Sequence, residues 1–265
     1  LAVSNSVTIR PDSRSASIAV SQDPVTGTFR VSGWIGKNSP ARGYALMLEN
    51  PEMFVAAAFR AALAAEGVKV VGAVNSRGAA PGATRIAGLP SRLLSDLITQ
   101  MNGESNNHFA ELLFRNVAAS TGTVGSADTG NAILHSFLAN RVRTSTTDLF
   151  AADGSGLSTL DRVTPRSLVG VLEYSSHAPW ASVFEASLPV AGQTETLRSR
   201  MRGAPAQGRL RAKTGSTNEV RSLGGYVTTT DGEELAFAFI YNGSDLTRAK
   251  QTIDAMGSTL ANFAR

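Results

Sequence analysis

The sequence contains no cysteine among its 265 residues, which excludes a disulfide framework, a cysteine-ligated metal site and a redox-active thiol. Charged residues are also scarce, at 17%, and the 25 basic and 21 acidic residues are scattered rather than grouped. Because no basic block is interleaved with aromatic residues, we expect no nucleic-acid partner. No run of 18 apolar residues exists, so the sequence predicts no transmembrane helix.

Metal-binding and phosphate-binding patterns are missing as well. The histidines lie far apart, and none belongs to a closely spaced pair of the kind that binds zinc; they are His108, His135 and His177. Neither a P-loop nor a glycine-rich dinucleotide fingerprint is present. We therefore expect no metal and no cofactor.

The N-terminal third combines short β-like runs with one helix. Residues 1–46 alternate apolar and polar positions between Asp, Pro and Gly turns, which predicts strands. Asn50 and Pro51 predict the start of a helix that stops at Gly67. The valine-rich run that follows, "VKVVGAV", predicts a further strand.

A stretch rich in Gly, Pro and Ala, residues 75–90, predicts a domain boundary. We expect a β-rich domain with one helix over 1–82 and a second domain over 83–265. The second domain is predicted to contain helices near 91–102, 107–118 and 126–141, one after Thr164-Pro165, strands over 209–214, 219–229 and 234–242, and a final helix near 245–264. This order predicts an α+β fold in which a helical cluster packs beside an antiparallel sheet.

Two short motifs in the second domain suggest acyl-transfer chemistry. Ser105 and Asn107 form a Ser-x-Asn triplet at a helix junction, where Ser and Asn also serve as N-caps, and Lys213, Thr214 and Gly215 lie on a predicted strand. Lys-Thr-Gly is expected by chance in about one chain in twenty of this length, whereas Ser-x-Asn is common. Their order is that of two of the three motifs of serine acyltransferases. An asparagine amide can hold a peptide carbonyl, while a hydroxyl and an ammonium can relay a proton.

Longer stretches around these motifs make the sequence resemble the C-terminal part of the penicillin-binding-protein-type D-alanyl-D-alanine carboxypeptidases and endopeptidases, the class C low-molecular-mass (DacB-like, S13) family. The resemblance follows family order over nearly the whole chain, in "NPEMFVAAAFRAALAAEGVKVVGAV", "MNGESNNHFAELLFRNVA", "ADGSGLSTLDRVTP", "LPVAGQTETLRSRM" and "LRAKTGSTNEVRSLGGYV". It implies a fold like that of serine β-lactamases and penicillin-binding proteins, preceded by part of a β-rich inserted domain.

The resemblance also implies roles for the proton-transferring residues. Ser105 would join the proton relay to the leaving group, and Lys213 would support that relay electrostatically. Asn107 would bind the carbonyl on the acyl side of the substrate.

Further residues would bind the substrate. Thr214 and Ser216 would bind its carboxylate, the backbone N–H of Ser216 would be the second oxyanion-hole donor, and Leu157 would line the pocket. Gly215 would leave the strand edge open to an extended peptide. Two departures from the family stand out: Thr159 occupies a position where arginine is common, which puts recognition of an acidic donor group in doubt, and "GQTETL" replaces a glycine-containing version.

The family's nucleophile is the serine of Ser-x-x-Lys, yet no serine here has a lysine three residues later. The chain begins with Leu1 and has no basic-then-apolar leader, so we expect either a removed targeting segment or a fragment. The nucleophile would then lie on an N-terminal segment absent from this sequence. We expect the chain alone to be inactive, and to be stable only with that segment bound.

The leading hypothesis is a periplasmic or extracytoplasmic serine DD-peptidase that acts on peptidoglycan stem peptides and is acylated by β-lactams. A serine β-lactamase or esterase shares both motifs, although the β-rich segment before Ser91 disfavours a compact β-lactamase. A non-catalytic peptidoglycan-binding module is a third hypothesis. The sequence leaves open whether carboxypeptidase or endopeptidase activity dominates and whether the protein forms a homodimer.

Overall fold

The computed structural model describes residues 2–23, 27–44, 50–75, 81–122 and 124–265, in two compact units that divide between Ala87 and Gly88. The predicted assignment of residues 1–82 to an inserted domain, and of 83–265 to a penicillin-binding domain, stays a prediction. Residues 76–80 of the predicted boundary stretch lie outside the described residues.

The first unit contains a small mixed sheet and one helix. Its elements are β1 (Val3–Arg10), β2 (Ala16–Gln22), β3 (Phe29–Gly36) and α1 (Pro51–Ala65). Strand β3 lies between the other two, parallel to β1 and antiparallel to β2. Pro51 occupies the first turn of α1, where its fixed φ suits a helix and its missing N–H is not needed. The predicted strands and the predicted helix of this region are confirmed.

The predicted strand over residues 68–74 is wrong, because this segment adopts no regular structure. Val71 is 85% exposed, Val68 and Val70 are partly exposed, and Val74 is half-buried. A strand needs a hydrogen-bonded neighbour, and no described residue pairs with this segment. β-branched composition alone was therefore an insufficient signal.

The second unit has a helical cluster, an antiparallel sheet and a final helix, which confirms the predicted α+β class. Its elements are α2 (Leu94–Glu104), α3 (Asn107–Ala119), α4 (Ala127–Phe137), α5 (Pro165–Ser176), α6 (Ala181–Ala186), β4 (Leu210–Ser216), β5 (Val220–Thr228), β6 (Glu234–Asn242) and α7 (Leu246–Ala261). A π-helical turn, Leu138–Val142, follows α4, and a 3-10 turn spans Glu195–Leu197. No helix in the described ranges is long and apolar enough to cross a membrane.

Helices cover both faces of the β4–β5–β6 sheet. On one face, Leu210, Leu223 and Val227 have no exposed surface and pack with Ile253 of α7. Burying each such side chain contributes about 2 kcal/mol before entropic costs. On the other face, Tyr226 packs against Leu172 of α5 and donates its hydroxyl hydrogen to the Leu172 carbonyl at 2.7 Å. The sheet is therefore a rigid support for β4.

Candidate active site

Ser105 lies at the junction of α2 and α3, as predicted. Its backbone is left-handed, with φ 56° and ψ 49°, and its N–H and that of Asn106 both donate to the Met101 carbonyl. A non-glycine residue in this conformation costs about 1 kcal/mol, so the end of α2 holds the serine in a strained position. Strain of this kind is common where a side chain is presented to a ligand.

The structure brings Ser105 together with Lys213, which lies 108 residues later. The Lys213 Nζ donates to Ser105 Oγ at 2.6 Å and to the Thr214 carbonyl at 2.7 Å. Burial lowers the pKa of the Lys213 ammonium, because the charged form loses hydration. A hydroxyl and a lysine with a lowered pKa at hydrogen-bonding distance can exchange a proton.

The edge of β4 beyond Ala212 is open within the described residues. Ala212 donates its backbone N–H outward, to the Pro189 carbonyl at 2.9 Å. Backbone groups alternate in an antiparallel pair, so the N–H groups of Thr214 and Ser216 face the same outer edge. An extended peptide could pair with this edge, and the Ser216 N–H is available to it.

The side chains of β4 alternate between the two faces of the sheet. Lys213 and Gly215 share one face, whereas Thr214 and the exposed Ser216 lie on the other. A Cβ at Gly215 would collide with the Oγ of Ser222 on β5. A side chain at this position would require the Ser222 hydroxyl to rotate to another rotamer.

The two asparagines after Ser105 have different environments. Asn106 is the N-cap of α3, and its Oδ1 accepts the Phe109 N–H at 3.1 Å. Asn107 is the first residue of α3, and its side chain is exposed. Asn107 caps no helix and is open to solvent, so its amide can contact a ligand.

The loop that carries Leu157 is shaped by Asp153. The Asp153 carboxylate accepts backbone N–H groups from Ser155 and Gly156, both at 2.6 Å, and from Ser158 at 2.8 Å. Burial alone would raise the pKa of Asp153, but these hydrogen bonds outweigh it and hold the pKa below its ordinary value. An ionised Asp153 thus fixes the loop conformation near neutral pH.

The same loop is anchored to α3, the helix that begins at Asn107. The Gly154 N–H donates to Glu111 Oε2 at 2.7 Å, and the other Glu111 oxygen accepts from Arg115 Nε at 2.6 Å. A Cβ on Gly154 would lie 2.5 Å from the Phe114 Cβ, so glycine permits this approach. Sequence reasoning missed Glu111, whose i,i+4 spacing to Arg115 was the available signal.

Leu157 and Thr159 project from this anchored loop. The Leu157 side chain is 56% exposed, and Thr159 is also exposed. The structure places neither of them in a hydrogen bond with Ser105 or Lys213. Their predicted parts in substrate recognition stay predictions.

The "GQTETL" segment contains a second strained residue, Glu195, with φ 46°. The Glu195 side chain packs against Gly103 on α2. A Cβ added to Gly103 would lie 3.3 Å from Glu195 Cγ. Glycine adopts a left-handed backbone without a steric penalty, whereas glutamate adopts it only at a steric cost. This residue therefore carries a conformational cost beside the helix that ends in Ser105.

Replacing Glu195 with glycine should make the protein more stable than replacing it with alanine, by about 1 kcal/mol, because alanine keeps the Cβ that disfavours a positive φ. Urea denaturation of the two variants side by side measures the difference. Equal free energies of unfolding would show that the backbone at this position is not strained.

The His, Asp and Glu side chains of the described residues are potential metal ligands. No group of three His, Asp or Glu side chains there is arranged to hold a metal ion.

The chain is similar to known D-Ala-D-Ala carboxypeptidases in sequence. The sequence profile of the D-Ala-D-Ala carboxypeptidase 3 (S13) family matches residues 5–263. A D-alanyl-D-alanine carboxypeptidase of Actinomadura sp. is 34% identical over 259 residues, which cover 94% of this chain and 48% of the relative. The DacB carboxypeptidase of Haemophilus influenzae is 29% identical over 219 residues, 81% of this chain and 45% of the relative. The chain thus spans about half the length of the curated relatives it matches.

Solved structures show the same relationship. Penicillin-binding protein 4 (dacB) from Haemophilus influenzae, complexed with a β-lactam, superposes with a TM-score of 0.80 at 25% identity, covering 99% of this chain and 64% of that one. A predatory endopeptidase from Bdellovibrio bacteriovorus, acylated by penicillin G, gives a TM-score of 0.52 at 27% identity, covering 64% of this chain and 45% of that one. The predicted resemblance is confirmed, and the chain belongs to the D-Ala-D-Ala carboxypeptidase 3 (S13) family.

Proposed function

We propose that this chain supplies part of the active site of a serine DD-peptidase, whose nucleophile comes from an upstream segment bearing Ser-x-x-Lys. The observation that carries the proposal is the 2.6 Å hydrogen bond between Lys213 Nζ and Ser105 Oγ at the open edge of β4. The chain joined to that upstream segment is called the extended polypeptide below. The sequence of residues 1–265 itself offers no serine with a lysine partner at the required spacing.

The proposed reaction proceeds through an acyl-enzyme. The upstream serine attacks the carbonyl carbon of the penultimate D-alanine of a stem peptide, forming an ester and breaking the peptide bond. The serine proton passes to the leaving nitrogen through Ser105 and Lys213, and D-alanine departs as an amine. Water then hydrolyses the ester, which restores the serine and releases a carboxylate.

The proposed substrate-binding groups lie on α3, on β4 and on the loop that carries Leu157. The exposed Asn107 amide donates to the carbonyl on the acyl side. The Ser216 N–H at the open edge donates to the oxyanion, and Thr214 and Ser216 bind the substrate carboxylate. Leu157 packs against the peptide side chain, and Gly215 keeps the strand edge clear.

An unpaired edge of β6 supports the need for a further segment. Within the described residues, β6 pairs with β5 alone, although its sequence "ELAFAFIYN" is apolar over seven consecutive positions. A long apolar edge strand tends to pair with another chain or to aggregate. We propose that the upstream segment covers this region and stabilises the second unit.

The proposed partners and location follow from the substrate. Stem peptides of peptidoglycan lie outside the bacterial cytoplasm, so we propose a periplasmic or extracytoplasmic protein. Two solved relatives carry a β-lactam, one as a complex and one acylated by penicillin G. We propose that β-lactams acylate the same upstream serine here.

Release of D-alanine from a peptide ending in D-Ala-D-Ala tests the proposal in the extended polypeptide. A DD-peptidase releases D-alanine and keeps a long-lived penicillin adduct. Rapid β-lactam turnover without release of D-alanine would instead indicate a β-lactamase. Peptide binding with neither reaction would indicate a non-catalytic peptidoglycan-binding module.

A further inference from the structure

Two polar side chains in the interior of the second unit bind each other. Asn102, in the last turn of α2, is 7% exposed, and Ser187, directly after α6, is 3% exposed. The Asn102 Nδ2 donates to Ser187 Oγ at 2.7 Å, and Ser187 Oγ donates to the Phe184 carbonyl at 2.5 Å. A buried amide is costly unless it is hydrogen-bonded, and asparagine is a poor helix former. The presence of Asn102 inside α2 therefore requires an explanation.

Ser187 is connected to the site through the segment that follows it. This segment runs along the outer edge of β4, where Pro189 accepts the Ala212 N–H and Ala191 donates to the Leu210 carbonyl, both at 2.9 Å. Ala212 directly precedes Lys213. A displacement of Ser187 would consequently move the backbone that carries Lys213.

Asn102 is connected to the other half of the site, because Ser105 follows it by three residues at the end of α2. The contacts close a ring, with the Asn102–Ser187 bond at one end and the Ser105–Lys213 bond at the other. We propose, resting on the function proposed above, that Asn102 and Ser187 are positioning residues. They hold Ser105 Oγ at hydrogen-bonding distance from Lys213 Nζ.

The strained backbone of Ser105 explains why the Asn102–Ser187 hydrogen bond is needed. A left-handed serine lowers its energy by relaxing toward an ordinary conformation, which would rotate its hydroxyl away from Lys213. The buried pair fixes the preceding helical turn against the sheet and resists that rotation. A misplacement of about 1 Å in a catalytic group can cost roughly a hundredfold in rate.

Four single variants and one double variant of the extended polypeptide test the proposal. Asn102→Ala and Ser187→Ala each remove the buried hydrogen bond, whereas Ser187→Thr keeps a hydroxyl acceptor. Ser167→Ala is the matched control, because Ser167 is 2% exposed and belongs to the capping box of α5, outside the ring. The readouts are the rate of acylation by a fluorescent penicillin and the NMR titration of the Lys213 ¹³Cε signal, assigned with Lys213→Met.

We expect Asn102→Ala and Ser187→Ala to lower the acylation rate by roughly ten- to a hundredfold. The titration midpoint of Lys213 should rise toward that of an ordinary lysine, because a looser site admits water. The acylation rates of Ser187→Thr and Ser167→Ala should stay within about threefold of the rate of the unchanged protein. The double variant Asn102→Ala/Ser187→Ala should be no slower than either single variant, since both remove the same bond.

An unchanged Lys213 titration in Asn102→Ala and Ser187→Ala would overturn the proposal, as would an equal shift in Ser167→Ala. Either result would reduce the pair to a stabilising contact. If the unchanged extended polypeptide is not acylated at all, the proposed function fails. The Lys213 titration then still decides whether the pair positions Ser105.

Discussion

Replacing Lys213 with methionine is expected to lower the rate of penicillin acylation of the extended polypeptide by roughly a thousandfold. The reason is that Lys213 Nζ donates directly to Ser105 Oγ, so the variant removes both the charge and a partner of the proton relay. Methionine is a flexible apolar side chain that can fill the same partly buried space. Burial already disfavours the ammonium, so folding should persist.

Lys250→Met is the matched control, because Lys250 is exposed on α7 and contributes the same charge. Its acylation rate should equal that of the unchanged protein. Stopped-flow fluorescence with a labelled penicillin measures both rates, and circular dichroism checks folding. A folded Lys213→Met variant that reacts at the ordinary rate would contradict the assigned role of this lysine.

Replacing Asn107 is expected to give the second large effect on the acylation rate. Asn107→Ala should lower the acylation rate by roughly a hundredfold, because it removes a donor to the substrate carbonyl. The free energy of unfolding should change by less than about 0.5 kcal/mol, since Asn107 is exposed and does not cap α3.

Asn106→Ala should show the opposite pattern. Its Oδ1 caps α3, so its loss should cost about 1 kcal/mol of stability. Acylation should fall less than in Asn107→Ala, because the amide that faces the ligand is intact. Should Asn106→Ala prove the more damaging to acylation, the assignment of these two side chains would have to be exchanged.

Local signals in the sequence were sufficient to predict the helices and strands around the site. The strands predicted over 219–229 and 234–242 correspond to β5 and β6, and Gly232 between them has the positive φ that a turn favours. Thr164 and Pro165 correctly predicted the start of α5, where a capping box forms. The helices predicted near 91–102 and 107–118 left Ser105 between them, where the structure has the break between α2 and α3.

Contacts between distant residues left no such signal. The Asn102–Ser187 bond joins residues 85 positions apart, and neither side chain belongs to a recognisable motif. The left-handed backbone of Glu195 could not be read from a glutamate, which rarely adopts it. The strand expected at 68–74 failed for a related reason, because pairing depends on a neighbour that composition does not reveal.

The roles predicted for Thr159 and Thr214 are in substrate recognition, which the fold alone does not determine. The structure puts Thr159 on an exposed loop and Thr214 on the face of β4 opposite Lys213. A contribution of Thr159 would appear in the choice among peptide substrates. Loss of carboxylate binding by Thr214 would also slow acylation by penicillin, because penicillin itself carries a carboxylate. Comparing stem peptides with and without an acidic donor group would address Thr159 directly.

Fluorescent-penicillin labelling of residues 1–265, with and without the upstream segment, tests whether the reactive hydroxyl is supplied from outside this sequence. We expect no covalent adduct on the chain alone, and a stable adduct on the upstream serine once that segment is joined to it. An adduct on the chain by itself, located at Ser105 or Ser155 by mass spectrometry, would contradict this assignment.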